Sequence, residues 1–150
     1  MILIKPHHFM DIIKLYGAGI EVFVPDTDYG HDFYRAANQI VGDRETELKL
    51  TVNADDICGP CRYLEQGLCG DHIGHIEGVT SKDQYNKMLD GRILKALGMS
   101  EGEICTAGEL CERLDQFTGI VELVWTDEEN EARNRRETLF KAGAGKYLRG

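Results

Sequence analysis

The sequence predicts a mainly α-helical protein with a small β component, an α+β fold in one compact domain around a cysteine-rich metal loop. Three observations predict it. Apolar residues recur at helical spacing in several stretches that close on glycine, and a few short stretches read as strands. Between them, residues 53–80 keep neither period and hold three of the five cysteines.

Ile2 to Ile4 reads as a short strand, and Pro6 then suits the first position of a helix, where its missing N–H costs nothing. Phe9, Ile12, Ile13 and Tyr16 give that helix one apolar face, with Gly17 at its C-terminal end. Ile20, Val22 and Val24 alternate and predict a strand ended by Pro25, and Asp26 to Gly30 is turn chemistry. Phe33, Ala36, Ala37, Ile40 and Val41 form a second helical stripe closed by Gly42. Leu48, Leu50 and Val52 predict another strand. After the irregular stretch, Tyr85, Leu89, Ile93 and Leu97 form an i, i+4 row ending at Gly98. Thr106-Ala107-Gly108-Glu109 is a capping box that opens a helix with Leu110, Leu114 and Phe117 inward. Thr126-Asp127-Glu128-Glu129 is a second such box. Its helix carries Glu129/Arg133 and Glu131/Arg135 pairs, a solvated arrangement, and Ala142 to Gly145 is expected to end it in a flexible tail. No linker or repeat divides residues 1–150, so a single domain is expected, with 127–150 as its charged C-terminal helix and tail.

A chain of 150 residues can bury roughly two-thirds of its unfolded surface, enough for a core without staples. A net charge of −9 opposes broad attraction to nucleic acid or anionic lipid. The apolar N-terminal run is too short for a signal-peptide core, and no stretch approaches a membrane span. A cytoplasmic location follows as the expectation, with thiols reduced and no disulfide framework from an odd cysteine count.

Chemistry concentrates in Cys58-Gly59-Pro60-Cys61, Cys69, His72 and His75, a C-x2-C-x7-C-x2-H-x2-H spacing. Two cysteines separated by two residues can aim both thiolates at one ion, and Gly59-Pro60 favours the tight turn this needs. Soft thiolates select zinc or an iron–sulfur cluster over magnesium or calcium. The fourth ligand is open between His72, His75 and a residue from elsewhere. On the first helix His7 and His8 stand four and three residues before Asp11, so a histidine and the carboxylate can project together. A surface His7–Asp11 hydrogen bond is the simpler account of that pair. Cys105 and Cys111 read as buried structural thiols, Cys105 forming a hydrophobic staple with Leu110. Trp125 is placed to pack the last helix onto the body.

Leu3-Ile4-Lys5-Pro6-His7-His8, then Asp55-Asp56-Ile57-Cys58 and its cysteines, then Asp90-Gly91-Arg92-Ile93-Leu94-Lys95-Ala96-Leu97-Gly98 together resemble one family. It comprises short bacterial and archaeal proteins of unknown function, often described as iron–sulfur or metal-binding, with an R-P-H-H-x-x-C start and a later D-D-I-C stretch. The resemblance runs over roughly residues 3–117 and implies that the first helix meets the cysteine loop, with Cys58, Cys61 and Cys69 as site residues. Asp11 stands where the family has cysteine, which weakens an all-cysteine cluster, and Lys5 replaces arginine.

The leading expectation is a small metal-binding protein, zinc or iron–sulfur, its reaction unassigned. One alternative is a thiol–disulfide oxidoreductase using Cys58 and Cys61, although the βαβ context such motifs normally open is absent here. The other is a protein-interaction module with a structural metal. In it the C-terminal helix, with Leu139 and Phe140, would contact a second copy or a protein partner.

Overall fold

The computed structural model describes the backbone of residues 1–25, 32–57, 64–65, 68–69, 72–76 and 79–149, and side chains within 1–25, 32–57 and 84–149. The chain opens with β1 (Ile2–Ile4), α1 (Pro6–Gly17), α2 (Phe33–Gly42) and β2 (Glu47–Leu50). Short strands β3 (Leu64–Glu65), β4 (Leu68–Cys69), β5 (His72–Ile76) and β6 (Val79–Ser81) follow. Then come α3 (Lys82–Leu97), β7 (Ile104–Thr106), α4 (Ala107–Gln116), α5 (Ile120–Val124) and α6 (Asn130–Arg149). The molecule is thus mainly helical, with one three-stranded sheet of order β1-β2-β7 and two small hairpins, β3-β4 and β5-β6.

β1 and β2 run parallel, with Ile2 opposite Leu48 and Ile4 opposite Leu50. These four side chains are buried, so the sheet turns one apolar face to the core. A parallel pair needs a long crossover, and the segment holding α1 and α2 supplies it. The β1 edge that faces away from β2 is closed by Asp56, whose N–H donates to the Leu3 carbonyl (2.9 Å) and whose carboxylate accepts from the Leu3 N–H (2.9 Å). β1 therefore passes into α1 with its last residues fixed from both sides.

The most extensive helix–helix packing is α1 against α6. Gly17 and Gly143 lie at the crossing, so close that a Cβ on Gly143 would overlap the Ile13 carbonyl and come within 2.9 Å of the Gly17 nitrogen. Phe9, Ile12 and Ile13 of α1 and Phe140, Ala144 and Tyr147 of α6 all belong to the buried core, and the Tyr147 hydroxyl donates to the Ile40 carbonyl at 2.6 Å. At the other end of the contact, Arg136 pairs with Asp11 (3.0 Å) and Glu128 (2.8 Å) while its guanidinium stacks 4.1 Å from the centre of the buried Trp125 ring. Trp125 thus joins α6 to the body, as its position ahead of the helix suggests.

The structure departs from the sequence-based expectations in four places. Ile20 to Val24 is no strand. Phe23 turns inward, leaving Val22 and Val24 75% and 76% exposed, because the Asn38 amide takes both the Phe23 N–H (2.8 Å) and its carbonyl (3.0 Å). A side chain here supplies the hydrogen bonds a neighbouring strand would have given. Residues 53–80, expected to lack regular structure, contain the short strands β3 to β5 and the start of β6. The last helix begins at Asn130 rather than after a box at Thr126, and it runs to Arg149 instead of fraying at Ala142. Gly143 has a place inside this helix because the close crossing with α1 leaves no room for a larger residue there. Phe140 consequently lies in this chain's own core. The turn expected at Asp26 to Gly30 lies outside the described residues.

Cys105 and Cys111 are both free and buried. The Thr106 hydroxyl accepts from the Glu109 N–H at 3.1 Å, the N-cap bond expected of that box, with Cys105 and Leu110 buried on either side. Burial pushes the Cys105 thiol up to about 11 and the Cys111 thiol up to about 12, against an ordinary value near 9. A raised folded pKa favours the native state while the thiols stay protonated, so the contribution is complete below about pH 9 and is lost as pH rises through 11 to 12. Iodoacetamide at pH 8 should therefore leave both residues unmodified in native protein and label them after denaturation, read by peptide mass. Rapid native labelling of either would contradict the burial described.

Candidate metal centre

Pro6 has no N–H and Lys5 makes no side-chain cap, so α1 begins without the usual local partners. Two distant carboxylates take that place. Asp55 Oδ2 accepts from the Lys5 N–H at 2.7 Å, and Asp90 Oδ1 accepts from the His7 N–H at 2.8 Å. Negative charge at a helix N-terminus is favoured by the helix dipole, the more so where water is scarce. Asp55 is 4% exposed and Asp90 not at all.

Each carboxylate also holds an imidazole. Asp90 meets His7 Nδ1 through both oxygens (2.9 and 3.0 Å), and Asp55 meets His8 Nδ1 at 2.7 Å. The two rings lie 4.4 Å apart, tilted by 47°. A carboxylate acceptor at Nδ1 fixes the proton there, so a neutral ring keeps its lone pair on Nε2. Neither Nε2 hydrogen-bonds a described residue.

The environments of the two rings differ. Burial acts to lower the His7 pKa, but the charge and hydrogen bond of Asp90 outweigh it and the net shift is upward. Burial dominates at His8, whose pKa falls despite Asp55. For Asp55 burial acts upward, yet His8 and the Lys5 N–H overcome it and hold the carboxyl well below the usual range.

Asp11 projects elsewhere. It hydrogen-bonds neither histidine, and its carboxylate is engaged by Arg136 at 3.0 Å with Lys14 at 3.8 Å. Cys69 ends β4, with its backbone paired to Leu64, and His72 and His75 lie on β5, whose pairing with β6 is irregular between His72 and Ile76. Cys58 and Cys61 lie outside the described residues. Among the described residues no three His, Cys, Asp or Glu side chains form a group able to hold a metal ion. The site residues that sequence reasoning missed are Asp55 and Asp90. Asp55 was read only as part of the stretch before Cys58, and the signal of Asp90 was an aspartate three and four residues before Ile93 and Leu94, on the helix face that the core needs.

A family model described as "Protein of unknown function (DUF1284)" matches residues 27–123, more than half of the chain. The chain belongs to this family. The DUF1284 match spans Asp55, Asp90 and every cysteine, and begins after β1 and α1. No curated protein matches, and no solved structure does. Among the described residues no helix is long and apolar enough to cross a membrane.

Proposed function

We propose that this DUF1284 protein binds a metal centre, zinc or an iron–sulfur cluster, through His7 and His8 together with Cys58, Cys61 and Cys69. His72 and His75 are the further candidate donors. One observation carries the reading: adjacent imidazoles are each anchored at Nδ1 by a buried carboxylate, leaving Nε2 for a ligand. Metal-binding histidines are typically oriented by such a partner on the second ring nitrogen, which raises their basicity and fixes the ring. The donor set fits a soft or borderline ion, since imidazole and thiolate suit zinc and iron–sulfur centres while calcium and magnesium call for oxygen.

Sequence continuity adds to this. Asp55 holds His8, Asp56 is bonded to β1, and Ile57 is buried; Cys58 is the next residue. Asp11, engaged by Arg136, is left out of the donor set. The bound centre would supply either a structural link, electron transfer or Lewis acidity, and the protein's own part is to hold two imidazoles in one tautomer and to shield them from water. The thiols are taken as reduced, as in the cytoplasm.

The test is metal and acid-labile sulfide content, with an absorption spectrum, on tag-free protein purified without oxygen. Stoichiometric zinc, or iron with sulfide and a brown colour, is the expected result. His8→Ala should lower metal affinity, and Cys58→Ser or Cys61→Ser should abolish stoichiometric binding. Wild-type protein that holds no metal and takes up none would overturn the reading.

A further inference from the structure

We draw no further inference here: the strongest candidate, the exposed apolar patch of Ile20, Val22 and Val24 on the segment between α1 and α2, carries nothing because nothing in the structure shows what covers it.

Discussion

Replacing Gly143 by alanine should destabilise the protein by about 3 kcal/mol, the upper range for an overpacked site, and lower its melting temperature by roughly 2–4 °C per kcal/mol. The added methyl meets backbone on every near side: the Ile13 carbonyl and the Gly17 nitrogen belong to α1, and neither can move by a side-chain rotation. The helices must separate, which loosens the core to which Phe9 and Ile13 of α1 and Phe140 of α6 belong. Gly17→Ala should behave alike, since its Cβ would meet the Leu139 carbonyl and the Gly143 nitrogen. Gly91→Ala is the control. It has open space around it and is exposed on α3, so the change should be neutral or stabilise by about 0.5–1 kcal/mol through the higher helix propensity of alanine. Urea denaturation of the three variants decides the matter: equal stability of Gly143→Ala and wild type would refute the close crossing.

The second large effect is expected at Asp90. Its carboxylate receives both the His7 N–H and the His7 imidazole inside the protein, so Asp90→Ala leaves two buried groups without a partner. Removing one member of a buried pair of this kind costs about 3–5 kcal/mol. Asp90→Asn keeps an acceptor for the N–H and should cost less, which allows its second consequence to be read on folded protein. Without the anionic partner at Nδ1, the His7 ring loses its fixed tautomer, and metal affinity measured by chelator competition should fall 10–100-fold. Unchanged stability in Asp90→Ala would mean that the pair contributes nothing to the fold. Unchanged metal affinity in Asp90→Asn would detach His7 from the centre.

Much of the helical framework was legible because it rests on local signals. Pro6, the stripe from Phe33 to Val41, the glycine after α3 and the Thr106 cap each state their structure within a few residues, and α1 to α4 start and stop close to where those residues place them. What escaped depends on partners far along the chain. Phe23 is drawn inward by Asn38, 15 positions away, against the alternation of its neighbours. Gly143 and Gly145 carry the composition of a flexible linker, and at Gly143 only the approach of α1 makes a glycine useful inside a helix. The site divides in the same way. His7 and His8 stood out by type, but Asp11, at helical distance, was the apparent carboxylate partner. The partner that the fold supplies to His7 is 83 positions away, because the Asp90 face of α3 packs on α1.

The contact between α1 and α6 also sets an order of events during synthesis. Asp11 and Arg136, paired across it, are 125 positions apart. At about 5–20 residues per second, roughly 6–25 s separate the appearance of one from that of the other. Through that interval α1 lacks the helix it packs on most extensively, although β2, Asp56 and α3 are made earlier and can already meet β1 and α1. Completion of this part of the core therefore comes late relative to the emergence of α1, and a chaperone that shelters the amphipathic helix α1 would raise the yield of native protein more than one acting on the segment between α2 and α3.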